Sequence, residues 1–387
     1  MCADTPANGS RTQKWETIDL PRTHVLRHLT DAHCHPTDLS PTTEQLDGVL
    51  LGGLAAMATS DDQESVCRLG AARPWPLDEP EASSSSTNAP RVVAGFGYHP
   101  WFVHLYSLQD PPLPKREHYQ DLLSPKPALM DQFDELVEQL PEPKPFAPAL
   151  ARIREQVSDA KASGRLVLIG EIGIDGSARV RVRPTHSTGN SGDWTPSNLT
   201  PFKCSIKHQV ALARAQLDIA VELGVNVSFH CVAAPGTTLE VLKAARVAHG
   251  PSFGRINIDI HSCGGMSPAF LAQAAKVLPN AYFSPSMAVT ARSPTAAEAV
   301  RAIPRDRILV ESDAFAVGDM TRMVWAATVW IADCRGWQVE DGSDEWELEE
   351  EEEYYDARGR LQLAPEEEVW AVRTLERNWA RFMGQMI

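Results

Sequence analysis

The sequence lacks the features of a membrane, secreted or zinc-finger protein. No uncharged apolar run approaches the roughly 18 residues needed to span a bilayer. Residues 1–20 are polar and contain no apolar stretch of the kind found in a secretory signal. The seven cysteines are scattered from Cys2 to Cys334 without a C-x-x-C pair, which excludes a disulfide framework and a zinc-finger spacing. We therefore expect a reducing compartment, the cytosol or the nucleus, and no membrane association.

An excess of positive charge is also missing, but the negative excess is local. The formal charge is −15, from 36 basic and 51 acidic residues. Eleven of the carboxylates lie between Glu340 and Asp356, a stretch without Lys or Arg, and they leave 36 basic against 40 acidic residues elsewhere. The body of the protein is nearly neutral, so its charge does not exclude a phosphate-bearing substrate such as nucleic acid.

Short apolar runs alternate with amphipathic segments along the chain, a pattern typical of parallel α/β proteins. Eight runs are candidate strands: Val25–Thr30, Leu51–Ala58, Val92–Tyr98, Leu166–Gly170, Val225–Phe229, Arg255–Ile260, Ala281–Ser284 and Ile308–Glu311. Eight strands alternating with helices predict an α/β fold, a (β/α)8 TIM barrel with several surface insertions. At 387 residues the chain fits a single barrel domain over residues 1–387.

Two helices have clear sequence signals. For Pro201–Leu223, Thr200 can cap the start, Pro201 suits the first position and Gly224 can end the helix. The last helix, Pro365–Met383, places five apolar residues on one side: Val369, Val372, Leu375, Trp379 and Phe382.

Four segments have the low apolar density of surface insertions. They are residues 72–90, residues 105–148 around a short helical piece at Leu129–Leu140, residues 176–198, and the acidic segment 333–365. Acidic runs are usually solvated, although residues 340–356 are also a candidate docking surface for a basic protein partner.

Polar side chains with metal-binding chemistry follow the predicted strands. Barrel enzymes assemble their sites at the carboxyl ends of the strands, and these ends carry His33, His35, His99, Glu171, His230, His261 and Asp313. His33 and His35 are two residues apart, so alternation along a strand should point them the same way. Without His99, the set supplies four imidazoles and two carboxylates for two divalent cations, with Glu171 as the bridging ligand. Imidazole and carboxylate ligands suit Zn²⁺ or Mn²⁺ better than Mg²⁺.

These residues occur in an order that resembles a known family. The set His33-x-His35, Gly170-Glu171-x-Gly173-x-Asp175, His230, His261 and Asp313 is similar to the TatD-type metal-dependent deoxyribonucleases of the amidohydrolase superfamily. The resemblance covers essentially the whole barrel and extends to Gly97-x-His99-Pro100, Gln209 and residues 378–382. The insertions resemble a divergent fungal branch of the family, sometimes described through a cell-cycle interaction partner.

The resemblance implies a role for each site residue. His33, His35, Glu171 and Asp313 would hold one metal ion, and Glu171, His230 and His261 the other. Water activated by the metals would attack the phosphorus of a DNA phosphodiester, with Asp313 orienting or deprotonating that water. His99 would contact the phosphate.

The sequence departs from the family pattern at three places outside the metal ligands. Val232 stands where relatives usually have an arginine two residues after the histidine of the fifth strand. The sixth-strand motif, commonly His-Cys-Phe-Ser-Gly, is His261-Ser262-Cys263-Gly264-Gly265, and the eighth-strand Thr-Asp-x-Pro is Ser312-Asp313-Ala314-Phe315. The departures affect residues expected to contact substrate, so they leave the identity of the natural substrate open.

Two other functions are compatible with the sequence. Related barrels hydrolyse amides and lactones, often with a modified lysine between the metals, but Glu171 takes that place here. Alternatively, the barrel is a non-catalytic scaffold that binds a protein through its insertions.

Residues next to the ligands have simpler interpretations. Alternation should turn Cys34 and Cys231 towards the helices, and we predict no zinc–thiolate site at these residues or at Cys263. Asp31 is either an orienting partner of a histidine or a polar strand end.

Overall fold

A computed structural model describes residues 15–76, 89–182, 199–263, 266–340, 342, 354–355, 361–362 and 365–385. Seven parallel strands form one sheet, and their order in the sheet is their order along the chain. They are β1 Thr30–Cys34, β2 Gly53–Met57, β3 Arg91–Phe96, β4 Val167–Asp175, β5 Val227–Val232, β6 Ile258–His261 and β7 Ala281–Ser284. Helices lie between consecutive strands, as the right-handed β–α–β rule requires.

The predicted eighth strand, Ile308–Glu311, closes the sheet without forming a regular strand of its own. The amide of Leu309 donates to the carbonyl of Phe283 in β7 at 2.9 Å, and Ala32 in β1 donates to Val310 at 3.0 Å. The segment therefore lies between the first and last strands. The predicted α/β barrel is confirmed.

The prediction of the first strand was wrong. Thr23–Leu26 is a helical turn, and β1 comes later, at Thr30–Cys34. The apolar residues Val25 and Leu26 are buried in the layer between sheet and helices, and this burial explains why their sequence resembled that of a strand. Three other strands also differ from their predicted bounds. β4 and β5 continue beyond their predicted ends, and β6 begins later than predicted because a 3₁₀ turn at Gly250–Arg255 precedes it. Only β7 has the predicted bounds.

Twelve helices are present in the described residues. They are α1 Thr23–Leu26, α2 Thr43–Asp47, α3 Gln63–Ala72, α4 Lys115–Leu123, α5 Met130–Gln139, α6 Ala147–Ala162, α7 Ile206–Leu223, α8 Pro235–His249, α9 Pro268–Val277, α10 Ala296–Ala302, α11 Val317–Arg335 and α12 Ala371–Met383. Helix α7 ends at Gly224 as predicted, but it begins after Ser205 and not at Pro201. Thr200 does not cap it, because the Thr200 amide and hydroxyl both donate to the carbonyl of Val180. The predicted last helix is shorter, since Glu366–Glu368 is a separate 3₁₀ turn before α12.

Helix α12 closes the amino end of the barrel. Trp379 and Phe382 join the apolar cluster formed by inward-facing strand residues such as Met57 and Leu168. The side chain of Asn257, just before β6, donates to the Phe382 carbonyl at 2.8 Å. Because this end is filled, the polar residues at the carboxyl ends of the strands lie at the opposite, open end.

The insertion at residues 105–148 is more ordered than predicted. Its helices α4 and α5 bury Tyr119, Phe133 and Leu136 in a small apolar cluster with Val180 and Phe202. A short parallel strand pair, Tyr106–Ser107 with Lys144–Pro145, ties its two ends together. The segment therefore has its own core, and it is not the sparsely apolar excursion that its prolines indicated.

The other predicted insertions lie largely outside the described residues, at 77–88, 183–198 and most of 341–364. Where the acidic segment is described, one correction follows: residues 333–335 belong to α11. Among the helices of the described residues, none combines the length and apolar character needed to cross a bilayer.

Candidate metal centre

The six predicted ligands converge at the carboxyl ends of the strands. His33 lies in β1 with His35 just beyond the strand, Glu171 lies in β4, His230 in β5, His261 ends β6, and Asp313 follows the closing segment. Four of them, His33, Glu171, His230 and His261, are at most 7% exposed, and the other two are partly buried. Two overlapping groups of these residues have donor atoms close enough together to hold a metal ion, and two further groups add His99 or Glu311 to two of the ligands. The fold therefore assembles the predicted donor set at one point.

The carboxylate of Glu171 lies at the centre, and its two oxygens face different histidines. Oε1 is 2.6 Å from His230 Nδ1 and 2.8 Å from His261 Nε2. Oε2 is 3.4 Å from His33 Nε2 and 3.3 Å from His35 Nε2. A carboxylate in this position can contribute one oxygen to each of two adjacent cations.

Irregularities in the sheet place two of the ligands. The pairing of β1 with β2 shifts between Asp31 and Cys34, and the pairing of β4 with β5 shifts between Ile169 and Ile172. The first shift surrounds His33 and the second surrounds Glu171. The two histidines of the H-x-H pair do meet, with Nε2 atoms 3.2 Å apart, but simple alternation is not the reason. Bulges of this kind redirect side chains next to active sites.

Position 173 in β4 must be glycine because the backbone of the neighbouring strand β5 lies too close for a side chain. Its φ is +148°, and a Cβ there would lie 2.1 Å from the carbonyl oxygen of His230. Only glycine adopts this conformation at no steric cost. The close approach of the two backbones keeps His230 beside Glu171.

The electrostatics of the centre suit a cation. Burial alone would raise the pKa of Glu171, but the surrounding histidines, His99 and His261 foremost, lower the pKa well below its ordinary value. Burial and the nearby His261 lower the pKa of His33 well below normal. For His35, His230 and His261 the nearby Glu171 carboxylate outweighs burial and raises the pKa, that of His35 to about 9, so a cation bound here would displace protons from these three rings. The donor set fits divalent ions of the zinc or manganese type.

Two of the predicted histidine ligands have a polar side chain near the ring nitrogen that faces away from Glu171. The Nδ1 of His33 is 2.7 Å from the hydroxyl of Ser228, and the Nε2 of His230 is 3.5 Å from Oδ2 of Asp175. Partners of this kind fix the orientation of a metal-binding imidazole. Ser228 is not among the residues predicted from the sequence, although its position two residues before His230 in β5 was a usable signal.

His99 differs from the other histidines of the site. Its Nδ1 accepts a hydrogen bond from the backbone amide of Trp101 at 3.1 Å. Burial lowers the pKa of His99 to about 4, so the ring is neutral and must carry its proton on Nε2. That Nε2 lies 3.1 Å from Glu171 Oε1. His99 thus presents a hydrogen-bond donor to the centre and not a lone pair.

Asp313 is the most exposed of the acidic groups here, and a second acid lies behind it. Asp313 has a φ of +53°, a conformation that Asp tolerates better than most residues. The hydroxyl of Ser262 is 3.0 Å from Asp313 Oδ2 and 2.6 Å from Glu311 Oε1. Glu311 is fully buried and joins His261 and Asp313 in one potential metal-binding group. Its place two residues before Asp313 was the signal that the sequence analysis missed.

The neighbouring residues have structural roles. The Asp31 carboxylate accepts hydrogen bonds from the Ser312 amide and hydroxyl, so it joins β1 to the closing segment and does not contact a histidine ring. Cys34, Cys231 and Cys263 pack in the main apolar cluster, and all six cysteines of the described residues are free thiols. Burial raises the pKa of Cys34 and Cys263 well above normal, which disfavours thiolate ligands.

Comparison with known proteins places this geometry in context. The family described as TatD related DNase matches residues 30–322. Cut9-interacting protein scn1 of Schizosaccharomyces pombe is 26% identical over 346 residues, which cover 82% of this chain and 95% of that protein. An uncharacterized deoxyribonuclease of Saccharomyces cerevisiae is 28% identical over 295 residues, covering 74% and 84%. The crystal structure of the TatD homolog YjjV of Escherichia coli shares the fold, with a TM-score of 0.50, 13% identity, and coverage of 94% and 100%.

Proposed function

Because the chain belongs to the TatD-related DNase family, we propose that it is a metal-dependent hydrolase that cleaves phosphodiester bonds of DNA. The observation that carries the proposal is the position of Glu171, whose two oxygens each face a separate pair of imidazoles. That arrangement supports two cations sharing one carboxylate. Three of these four histidines, His33, His230 and His261, are almost fully buried, so their imidazoles are held in place before substrate binds.

The ligands divide into two sets in this proposal. His33, His35, Glu171 and Asp313 would hold one ion, while Glu171, His230 and His261 would hold the other. Divalent ions bound here supply Lewis-acid chemistry, which lowers the pKa of water and stabilises charge on a phosphoryl oxygen. We expect Zn²⁺ or Mn²⁺ to bind in preference to Mg²⁺, because four of the six ligands are imidazoles.

Two side chains act on the reactants directly. Asp313 is 23% exposed, so its carboxylate can reach a water molecule at the mouth, orient it and accept its proton. The Nε2 proton of His99 points at Glu171 Oε1 in the protein alone, and we propose that it donates a hydrogen bond to a phosphate oxygen when substrate is bound. The free thiols of the described residues fit our proposal that the protein works in the cytosol or nucleus.

The test is hydrolysis of single-stranded DNA by purified protein with Zn²⁺, Mn²⁺ or Mg²⁺, and with EDTA. Asp313→Asn should reduce turnover by at least about 10²-fold, the usual contribution of a general base. Asp319→Asn, which changes an exposed carboxylate in α11, is the matched control and should retain full activity. Absence of cleavage by protein that contains two metal ions would redirect the proposal to another ester or to an amide.

A second proposed function is protein binding. It rests on the similarity to the S. pombe protein named for its interaction with Cut9, which extends over 95% of that protein. We propose the acidic segment 340–356 as the docking surface. Glu340 itself is occupied, because its carboxylate accepts hydrogen bonds from the amides of Val372 and Arg373 in α12, which leaves residues 341–356 for the partner.

Deletion of residues 341–356 tests the docking proposal. The deletion should weaken binding to purified S. pombe Cut9 and leave metal content unchanged. Equal binding by the deleted and intact proteins would contradict it.

A further inference from the structure

An aromatic side chain that the proposed mechanism does not use is exposed beside Asp313. Phe315 follows Asp313 by two residues and is 57% exposed. The backbone between them is fixed to the metal centre, because the amide of His35 donates to the carbonyl of Ala314 at 2.8 Å. Phe315 stands where the family pattern has proline, which offers no aromatic ring. A ring particular to this chain therefore lies next to two proposed metal ligands.

Arg292 lies on the loop that follows β7, next to the closing segment. Ser286 in this loop pairs with Glu311 in a parallel bridge, and the amide of Ala291 donates back to the Ser286 carbonyl at 3.1 Å. Arg292 is exposed, and within the described residues its guanidinium has no hydrogen-bond or ion-pair partner. Its N–H groups are therefore available to an anion.

A buried threonine fastens this loop to the metal centre. The hydroxyl of Thr290 accepts a hydrogen bond from the Ser286 amide at 3.0 Å and donates to the Ser262 carbonyl at 3.2 Å. Ser262 directly follows the proposed ligand His261, and Thr290 is almost fully buried. The loop therefore keeps a set position relative to the metal ligands, and it carries Arg292 two residues beyond the anchor.

We propose that Phe315 and Arg292 form a subsite for one nucleotide of single-stranded nucleic acid, next to the phosphodiester that is cleaved. The ring stacks on the base, and the guanidinium binds the phosphate of that nucleotide. Inorganic phosphate would occupy only Arg292 and an apolar peptide only Phe315, whereas a nucleotide uses both.

Stacking sets the class of substrate. It needs an unpaired base but no particular sequence, because every base has a flat face. The subsite therefore favours single strands over duplexes and tolerates any base. The inference rests on the proposed function, since the reacting bond defines where the subsite lies.

The first experiment measures stacking separately from cleavage. Fluorescein-labelled oligothymidylate, and an oligomer of the same length built from stable abasic residues, are titrated into Asp313→Asn protein with Mn²⁺. The abasic oligomer keeps every phosphate and lacks the bases, so the ratio of the two Kd values reports stacking alone. We expect Phe315→Ala to raise the Kd for oligothymidylate about tenfold and to leave the Kd for the abasic oligomer unchanged. Phe315→Trp should retain the preference for bases.

The second experiment tests the cation. Arg292→Ala should raise both Kd values by the same factor, about fivefold, and should lower the slope of log Kd against log salt by about 0.7. Arg255→Ala is the matched control, because Arg255 is an exposed arginine just before β6, at the opposite end of the barrel. Val247→Ala, which truncates an exposed apolar side chain on α8, is the control for Phe315→Ala.

Two results would overturn the subsite. One is a Kd ratio for Phe315→Ala equal to that of Val247→Ala, which includes a loss of affinity that is the same for both oligomers. The other is equal Kd values and equal salt slopes for Arg292→Ala and Arg255→Ala.

A cleavage assay in protein that retains Asp313 separates the two proposals. Base-dependent binding through Phe315, in a protein that cleaves no DNA, would refute the nuclease proposal and retain the subsite. Cleavage with unchanged KM in both Phe315→Ala and Arg292→Ala would refute the subsite alone. Metal content and melting temperature, measured for each variant, should match those of the two control variants.

Discussion

At the scale of single residues, the metal centre depends on how each imidazole is oriented. A histidine can offer a lone pair to a cation only if its other nitrogen is correctly occupied. His33 meets this condition through Ser228, and His99 does the opposite because Trp101 fixes its proton on the inner nitrogen. The Nε2 of His230 lies 3.5 Å from Asp175 Oδ2 and makes no hydrogen bond within the described residues. In our proposal, the partners of His33 and His99 decide that the first binds metal and the second donates a hydrogen bond.

Replacing Ser228 tests this principle. Ser228→Ala removes the group 2.7 Å from His33 Nδ1, so the ring loses its fixed orientation. We expect metal affinity to fall by roughly 10- to 100-fold, the usual effect of losing such a partner. Competition with a coloured chelator measures the affinity, and Ser163→Ala, at an exposed serine after α6, is the control. Equal affinities for the two variants would show that Ser228 does not orient His33.

At the scale of elements, the insertion between β3 and β4 is joined to the barrel by a cluster of three buried or half-buried histidines. The Nε2 of His118 in α4 bonds to the carbonyl of His104, and the Nε2 of His208 in α7 bonds to the carbonyl of Val103. Burial lowers the pKa of all three, that of His104 to about 4. The cluster is neutral at physiological pH, and the insertion is docked through uncharged contacts.

This cluster predicts a loss of stability in acid. The unfolded chain takes up a proton on His104 near its ordinary pKa of about 6.5, whereas the folded protein does so only near 4. Stability is therefore present above pH 6.5 and is lost as the pH falls towards 4. For His104 alone we expect a loss of about 2 kcal/mol between pH 7 and pH 5.

Urea denaturation in EDTA at the two pH values measures this effect. His104→Gln should show the smaller decrease in the free energy of unfolding. Raising the pH from 5 to 7 should restore the stability of the unmodified protein. A variant with the same pH dependence as the unmodified protein would exclude His104 as the source.

The start of α12 supplies a second prediction at this scale. Glu340 is buried, and its carboxylate accepts hydrogen bonds from the Val372 amide at 2.9 Å and the Arg373 amide at 3.1 Å. It satisfies two amides that a helix start leaves unpaired and lies where the helix dipole favours negative charge. We expect Glu340→Ala to lower the free energy of unfolding by about 1–2 kcal/mol, measured by denaturant titration. The exposed Glu240→Ala in α8 should change it by less than about 0.5 kcal/mol.

At the scale of the whole molecule, we expect metal binding and folding to be coupled. The proposed ligands lie in or directly after four different strands and the closing segment, so no local stretch of chain can assemble them before the barrel closes. Ions that bind only the folded protein stabilise it by mass action, by about 2.7 kcal/mol at a concentration of 100 times Kd. The barrel is therefore expected to be more stable when the centre is occupied.

Thermal unfolding with added Zn²⁺ or Mn²⁺, compared with EDTA, measures this coupling. The unmodified protein should melt several degrees higher with metal, in line with the size of the stabilisation. His230→Ala should show a smaller increase, while His249→Ala, which changes a half-buried histidine at the end of α8 that contacts Asp218 and no proposed ligand, should behave like the unmodified protein. No increase for the unmodified protein would contradict metal binding at this centre.

The sequence by itself determined the alternation of strands and helices and assigned each proposed ligand to the carboxyl-terminal half of a strand or the residues just after it. Both follow from local patterns: apolar runs mark buried strands, and parallel strands bring their carboxyl ends to one edge. The apolar stripe of α12 also follows from a local pattern, the spacing of apolar residues along the helix, and Val372, Leu375 and Phe382 are all buried.

Only the tertiary structure decided the finer arrangement. Val25 and Leu26 are apolar enough for a strand, but packing outside the sheet makes them part of a helical turn. The register shifts at His33 and Glu171, the partners Ser228 and Glu311, and the pairing of Arg181 with Trp101 join residues far apart in the chain. Such contacts depend on how neighbouring strands and loops approach each other in space, and no local periodicity records that.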